Sequence, residues 1–162
     1  MKIAITGGAG FLGYHLARSL GCEHEVTLLD VAPFDPSEYP QGVTCHNADV
    51  RDESALRRLL AGQDAVIHAA AALPLWKQRD IRAINVRGTV NVLDAAQRNG
   101  VDRVVYISST AVYGVPDKHP LEETDPVHGV GPYGESKIAA EHLCAGARAK
   151  GLCVPIIRPK TF

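Results

Sequence analysis

The stretch KIAITGGAGFLG at Lys2–Gly13 decides the fold that this sequence predicts. Its short apolar run Ile3–Ile5 is typical of a buried strand that ends at Thr6, and the apolar residues beyond the turn recur at helical spacing. Three glycines separate the strand from the helix: Gly7, Gly10 and Gly13. A strand, a glycine turn and a helix in this order form the phosphate site of dinucleotide-binding folds. Glycine lets the backbone approach a pyrophosphate, and the helix N-terminus offers it unpaired N–H groups.

A second apolar run strengthens this interpretation, because a glycine turn alone is also typical of a flexible loop. Val26–Leu29 predicts a strand that ends at Asp30. This acid lies about 20 residues beyond the central glycine, where dinucleotide folds place a carboxylate for the adenosine ribose. Val31 and Ala32 follow, with no adjacent arginine to accept a 2′-phosphate. The predicted cofactor is therefore NAD rather than NADP.

Strand and helix patterns alternate along the rest of the chain. Apolar runs predict strands at 43–46, 65–70, 104–107 and 154–157, and helical periodicity predicts helices from residue 52, over 81–99 and over 133–150. The Pro-rich segments 31–42 and 114–132 are predicted loops. The alternation predicts an α/β fold with a doubly wound parallel sheet (a Rossmann fold) of strand order 3-2-1-4-5-6, with residues 1–162 forming one NAD-binding domain.

Composition indicates an ordinary globular protein: 162 residues, 46% hydrophobic, 22% charged and a formal net charge of −1. Neither the charge nor any apolar segment favours a nucleic acid or membrane partner. The seven histidines show no ligand spacing, so no metal site is expected. The four cysteines form no CxxC pair, which predicts four buried thiols in a reducing, cytoplasmic protein, and with the first strand at the N-terminus no signal peptide is expected.

Ser109, Tyr133 and Lys137 form the candidate catalytic group. Tyr133 and Lys137 are four residues apart on a predicted helix, so their side chains emerge on one face. Beside a positively charged nicotinamide ring, the Lys137 ammonium would lower the pKa of the Tyr133 phenol and make it a general base or acid. Ser109 follows the fifth predicted strand, at the edge where open α/β sheets bind ligands. A lone Tyr–Lys pair is usually a solvated helix turn, but the dinucleotide fold around this pair favours catalysis.

Together these motifs resemble the extended short-chain dehydrogenases/reductases, and within them the NAD-dependent epimerase/dehydratase family of nucleotide-sugar enzymes, typified by UDP-glucose 4-epimerase. The resemblance covers essentially the whole chain. The matching motifs occur in family order: TGGAGFLG at Thr6–Gly13, DV at Asp49–Val50, HAAA at His68–Ala71, NVRGTVNVLDAA from Asn85, SSTAVYG at Ser108–Gly114, YGESK at Tyr133–Lys137 and RPKTF at Arg158–Phe162.

The resemblance implies a role for each matching residue. Tyr133 would be the catalytic base, Ser109 would assist it, and Lys137 would tune it. Asn85 would stabilise the central helix, although an ordinary polar helix residue is an equal alternative. The remaining residues would hold NAD: Gly7, Gly10, Phe11, Leu12 and Gly13 at the pyrophosphate, Asp30 at the adenosine ribose, Asp49 and Val50 at the adenine, and Ala69, Ala70, Ala71, Tyr133 and Lys137 near the nicotinamide ribose.

The residues after Ser109 bear on the reaction. Sugar 4,6-dehydratases of the family carry an Asp-Glu pair there, because eliminating water needs its own acid and base, whereas this chain has Thr110 and Ala111. The resemblance therefore implies epimerisation of a nucleotide sugar through a 4-keto intermediate. Two alternatives stay open. One is a carbonyl or hydroxysteroid-type reductase or dehydrogenase, favoured by the apolar stretch Ala69–Trp76. The other is a non-catalytic nucleotide-sensing module, disfavoured by the intact catalytic group.

Two further expectations concern the whole protein. Family members continue past the sixth strand into a C-terminal substrate domain, so we expect that domain to be missing from this chain. A fragment without it is expected to bind NAD weakly and turn over little. Family dimers pair the helices around Ile84–Gln97 and Tyr133–Lys150 in a four-helix interface, which implies a homodimer. The candidate contacts, equally typical of packing on the sheet, are Ala139, Ala140, Leu143 and Ala147.

Overall fold

Every strand in the sheet runs parallel to its neighbours. The computed structural model describes residues 1–160, so Thr161 and Phe162 of the RPKTF motif lie outside the described residues. The six strands lie in the order β3-β2-β1-β4-β5-β6, which confirms the predicted doubly wound topology. The strands and α-helices are β1 (Lys2–Thr6), α1 (Phe11–Leu20), β2 (Glu25–Asp30), β3 (Thr44–Asn47), α2 (Glu53–Leu59), β4 (Ala65–His68), α3 (Gln78–Ile81), α4 (Thr89–Arg98), β5 (Arg103–Ile107), α5 (Gly131–Ala149) and β6 (Ile156–Ile157).

Alternate residues of β1 face two separate apolar cores. Ile3 and Ile5 pack with Ala17 of α1 on one side of the sheet. Ala4 belongs to the larger core on the other side, which α2, α4 and α5 cover. Because successive strand residues point to opposite faces, a strand covered on both sides reads as a continuous apolar run. This is why β1 and its neighbours were recognisable in the sequence.

Two predicted strands are shorter in the structure than in the sequence pattern. β4 ends at His68 rather than at residue 70, because Ala70 donates its N–H to the Thr6 side chain instead of a neighbouring strand. β6 contains only Ile156–Ile157, and an isolated bridge pairs Cys153 with Arg103 before it. Pro155 lies between these two pairings and has no N–H to donate. Both strands keep their predicted positions in the sheet.

The helix predicted over residues 81–99 contains an irregular central part. α3 passes directly into a π-helical stretch, Arg82–Gly88, and then into α4. Short π segments are frequent at functional sites. This one contains buried Asn85 and ends at Gly88, where a Cβ would lie 2.7 Å from the Val50 side chain. α5 begins at Gly131, two residues before the predicted start, because Pro132 is tolerated in a first helical turn.

The prediction of four buried thiols was wrong. Only Cys144, inside α5, is buried. Cys45 is partly buried, Cys22 is exposed in the turn after α1, and Cys153 is exposed at the isolated bridge before β6. Among residues 1–160, no group of three or more His, Cys, Asp or Glu is placed to hold a metal ion. Within the same range, no helix is both long and apolar enough to cross a bilayer.

The candidate dimer contacts on α5 are partly used inside the chain. Ala140 and Ala147 belong to the larger core, and Leu143 packs against it. Of that predicted set, only Ala139 and Leu143 therefore keep exposed area. The homodimer stays a prediction.

Candidate active site

A long groove of about 1030 Å³ runs across the carboxyl ends of the strands. In open α/β sheets this edge is where ligands bind, at the point where the strand order reverses on either side of β1. Every residue predicted for the site lines this one groove: Gly7, Gly10, Phe11, Leu12, Gly13, Asp30, Asp49, Val50, Ala69, Ala70, Ala71, Ser109, Tyr133 and Lys137.

The glycine turn has no room for side chains. Gly7 has a φ of +75°, and a Cβ there would lie 2.7 Å from the backbone nitrogen of Ala70. A Cβ on Gly13 would lie 2.7 Å from the Cα of Gly8, so α1 packs directly on the turn. Gly10 is the N-cap residue of α1, and no side chain caps the helix there. The first N–H groups of α1 are thus the donors that the groove presents to an anion.

The carboxylate of Asp30 is oriented by two backbone groups. Ala9 donates its N–H to one oxygen at 3.1 Å, and Ala32 donates to the other at 2.9 Å. The first bond ties the end of β2 to the glycine turn. An acid fixed there can still accept from ribose hydroxyls with its remaining lone pairs.

Asp49, farther along the groove, is paired with Arg51. The Arg51 Nε lies 3.0 Å from both carboxylate oxygens, and the Arg51 backbone N–H donates at 2.8 Å. These hydrogen bonds lower the pKa of Asp49. Arg51 also lines the groove, so this end of the groove contains an arginine that the residues next to Asp30 in the sequence did not reveal. Its charge is compensated by Asp49.

Tyr133 and Lys137 lie on one face of α5, as predicted, and approach Ser109 from across the groove. The Lys137 ammonium donates to the Ile107 carbonyl at 2.8 Å and lies 5.8 Å from the centre of the Tyr133 ring. Burial lowers the pKa of Lys137 to about 8. The Ser109 hydroxyl forms the N-cap of the 3₁₀ turn Thr110–Tyr113 by accepting from the Ala111 N–H at 3.1 Å.

The lowering of the Tyr133 pKa that the sequence predicts requires the nicotinamide ring and stays a prediction, whereas the protein's own groups raise the pKa of Tyr133. Burial raises it above the ordinary phenol value, and hydrogen bonding with Ser109 offsets only part of this effect. The reason is that the phenol is itself half-buried, and desolvation disfavours the phenolate. Ser109 is thus one neighbour that lowers the phenol pKa.

A chain of buried hydrogen bonds fixes the floor of the groove behind the alanines. Thr89 donates its hydroxyl proton to the Asn85 carbonyl at 2.7 Å, so it accepts from Nε2 of His68 at 3.0 Å. Nδ1 of His68 then accepts from the Thr6 hydroxyl at 2.7 Å, and Thr6 accepts from the Ala70 N–H. Burial lowers the pKa of His68 to about 3, so this histidine is a neutral structural link.

Asn85 joins this floor to α5. Its side-chain oxygen accepts from the Ala72 N–H at 2.7 Å, and its amide nitrogen donates to the Ser136 hydroxyl at 3.0 Å. Ser136 in turn donates to the Tyr133 carbonyl at 2.7 Å. Asn85 therefore fixes the Ala69–Ala72 segment relative to Tyr133, and it is not an ordinary polar helix residue.

Glu141 continues the Tyr133–Lys137 face by one more helical turn. It forms two hydrogen bonds with Arg158, at 2.9 and 2.7 Å, and accepts from the Ser108 hydroxyl at 2.6 Å. Arg158 also donates to the Tyr113 hydroxyl at 2.7 Å. This cluster holds the residues on both sides of Ser109 against α5. The four-residue spacing from Lys137 is a sequence signal that could have identified Glu141.

These features fit a dinucleotide beside the Ser109, Tyr133 and Lys137 group. The glycine turn leaves space for a pyrophosphate because no side chain fits there, and the uncapped start of α1 suits its negative charge. The carboxylate of Asp30 suits a ribose diol. The residues present therefore fit NAD.

Comparison with known proteins shows the family to which the chain belongs. The model of the NAD dependent epimerase/dehydratase family matches residues 3–162, and the chain belongs to that family. It is 34% identical to UDP-glucose 4-epimerase from Streptomyces lividans over 161 residues, covering 93% of this chain and 49% of that protein. It is 35% identical to 2-alkyl-3-oxoalkanoate reductase from Stenotrophomonas maltophilia over 177 residues, covering 99% of this chain and 50% of that one.

Solved structures agree with this assignment. The Bordetella bronchiseptica enzyme WbmG in complex with NAD matches with a TM-score of 0.85 and 31% identity, covering 98% of this chain and 52% of that chain. DesIV, a dTDP-glucose 4,6-dehydratase from Streptomyces venezuelae with NAD bound, matches with a TM-score of 0.90 and 32% identity, covering 98% and 55%. NAD is thus confirmed as the cofactor. The chain spans about half the length of the relatives it matches.

Proposed function

We propose that this chain forms the cofactor-binding and catalytic part of an NAD-dependent epimerase that inverts a hydroxyl-bearing carbon of a nucleotide sugar through a 4-keto intermediate. The observation that carries the proposal is the convergence of Ser109, Tyr133 and Lys137 on the groove that the glycine turn opens. UDP-glucose 4-epimerases among the relatives, and a WbmG structure that contains both NAD and UDP, support a nucleotide sugar as substrate.

Each residue of the catalytic group has a distinct part in this proposal. NAD supplies the hydride acceptor and, once reduced, the hydride donor. Tyr133 removes the proton from the sugar hydroxyl as hydride leaves the same carbon, and it returns the proton when the ketone is reduced from the opposite face. Ser109 holds the reacting oxygen, and Lys137 stabilises the phenolate that Tyr133 becomes.

Elimination of water is disfavoured by the residues next to Ser109. The Thr110–Tyr113 turn follows directly, and neither Thr110 nor Ala111 carries a carboxyl group. The overall fold does not discriminate here, since DesIV, a dehydratase, superposes as well as a UDP-glucose 4-epimerase does, both with a TM-score of 0.90. Side-chain chemistry at these two positions is therefore the relevant support.

Proton NMR with a panel of nucleotide sugars tests the proposal. The intact protein is incubated with NAD and with UDP-glucose, UDP-galactose or their N-acetyl forms. Inversion at C4 without net NADH production is expected. Tyr133→Phe should lower kcat by about 10²- to 10⁴-fold, whereas Tyr14→Phe, on the outer side of α1, should leave it unchanged. Absence of any change at C4 with all four sugars would contradict the proposal.

An NAD-dependent reductase or dehydrogenase acting on an apolar carbonyl or alcohol is the second candidate. Leu73 and Trp76 line the groove next to the alanines, and Leu75 between them is 99% exposed. Such a surface suits an apolar substrate, and 2-alkyl-3-oxoalkanoate reductase is among the relatives. Stoichiometric oxidation of NADH by a 3-oxoacyl substrate, with no sugar inversion, would favour this candidate over the epimerase.

A further inference from the structure

A buried aromatic ring lies beneath the Lys137 ammonium. Tyr106, on β5, is 1% exposed, and its ring centre is 5.1 Å from the Lys137 Nζ. Lys137 is itself 3% exposed. A cation within about 6 Å of a ring face is attracted by the negative face of the π-system, and the attraction is largest where water is excluded. Both conditions hold at this pair.

The other groups around Lys137 explain why it needs such a neighbour. The Ile107 carbonyl accepts one N–H of the ammonium. The Tyr133 ring centre lies 5.8 Å from the Lys137 Nζ, and its phenol is neutral at ordinary pH. On α5, the Glu141 carboxylate acts to keep Lys137 charged but is already paired with Arg158, and Cys144 is a neutral thiol because burial raises its pKa to about 12. From β4, His68 faces the Tyr106 ring at 5.7 Å and is neutral, because burial and the nearby Lys137 charge lower its pKa to about 3.

The Tyr106 hydroxyl does not account for a tyrosine at this position. It is buried near Thr89 but makes no hydrogen bond of good geometry with any residue in the range 1–160. A buried hydroxyl without a partner is unfavourable for folding. The part of Tyr106 that contributes to the site is therefore its ring, which a phenylalanine would reproduce.

We propose that the ring of Tyr106 is a positioning residue that keeps the buried ammonium of Lys137 charged and directed along the groove. It acts on the reaction only through Lys137, so its importance for catalysis rests on the proposed function. A charged Lys137 is the group that would stabilise the Tyr133 phenolate and donate to the nicotinamide ribose. Two neighbouring residues of β5 therefore contact the ammonium: the Tyr106 ring faces it, and the Ile107 carbonyl accepts its hydrogen bond.

The test is a titration of Lys137 by NMR in protein labelled with ¹³C at the lysine ε carbon. The signal of Lys137 is identified by its loss in Lys137→Arg. Replacing Tyr106 by Leu or by Met removes the ring, and we expect the pKa of Lys137 to fall by about half a unit to one and a half units. Tyr106→Phe keeps the ring and should leave the Lys137 pKa within a few tenths of the wild-type value.

The two non-aromatic variants keep the test decisive, because Met can fill the space if Leu fails to fold. Retention of the wild-type Lys137 pKa in either folded non-aromatic variant overturns the proposal. An equal fall in Tyr106→Phe also overturns it, since the hydroxyl would then be the active group. The titration is made without substrate, so a failure of the sugar panel to show inversion would refute the proposed function and leave this result intact.

Discussion

Gly13→Ala is expected to damage the site through packing alone. A Cβ on Gly13 would lie 2.7 Å from the Cα and 2.9 Å from the carbonyl carbon of Gly8, and both are backbone atoms that cannot rotate away. α1 would have to move off the glycine turn. The first N–H groups of that helix would then lose their positions beside the groove, where a pyrophosphate needs them.

A second glycine supplies the matched control. Gly146, in α5, has open space where its Cβ would be. Replacing glycine by alanine inside a helix is favourable by about 1 kcal/mol, and this gain applies to both positions. Overpacking at Gly13 opposes it with about 1–3 kcal/mol. Since 1 kcal/mol shifts the Tm of a domain of this size by about 2–4 °C, Gly146→Ala should melt about 2–12 °C above Gly13→Ala.

Thermal unfolding followed by circular dichroism measures the first effect, and isothermal titration calorimetry with NAD measures the second. The Kd for NAD should rise by about tenfold or more in Gly13→Ala, which corresponds to about 1.4 kcal/mol, and stay at the wild-type value in Gly146→Ala. Equal Tm and equal NAD affinity in the two variants would refute the reasoning, because the close contact between α1 and the turn would then be irrelevant.

Three further substitutions test other contacts of the groove. Asp30→Asn should raise the Kd for NAD by about tenfold, through the loss of a charge-assisted hydrogen bond. It should also lower the Tm, because an amide has one oxygen and can accept from only one of the Ala9 and Ala32 N–H groups; unchanged affinity in calorimetry would contradict a ribose contact. Glu141→Gln should lower the free energy of unfolding by about 3 kcal/mol near neutral pH, because Arg158 loses its partner. Burial acts to raise the pKa of Glu141, but the hydrogen bonds from Arg158 and Ser108 outweigh it and hold this pKa below its ordinary 4.5. The wild type therefore loses this contribution as the pH falls through the lowered pKa, and urea unfolding of the variant should lack this part of the acid dependence. Asn85→Ala should speed hydrogen exchange at the Ala72 amide, which loses its acceptor; an exchange rate equal to wild type would show that the Ala69–Ala72 segment is held by other contacts.

The sheet was predictable because its signal is local. β1, β2 and β5 are covered on both faces, so each appears as a short apolar run between turn residues. Tyr133 and Lys137 were predictable for the same reason, since four-residue spacing on a helix places two side chains together regardless of the rest of the fold. What the sequence alone supplies well is thus the set of elements and the residues that share a face.

The groups that support the site come from long-range packing and gave no local signal. His68 and Tyr106 lie within apolar runs and look like ordinary strand residues, although one links Thr6 to Thr89 and the other underlies Lys137. The raised pKa of Tyr133 also depends on burial by segments distant in sequence.

The parallel sheet has a consequence for the order of events during folding. The glycine turn follows the first strand, yet Gly7 packs against Ala70, and Thr6 receives hydrogen bonds from Ala69 and Ala70. β1 also pairs with β4, Ile3 opposite Ala65, and no hairpin is available to bring these segments together early. The turn therefore acquires its final shape only after β4 has been synthesised and docked. Because pairings between distant segments slow folding, competence to bind NAD should emerge late, with completion of the sheet rather than with formation of α1.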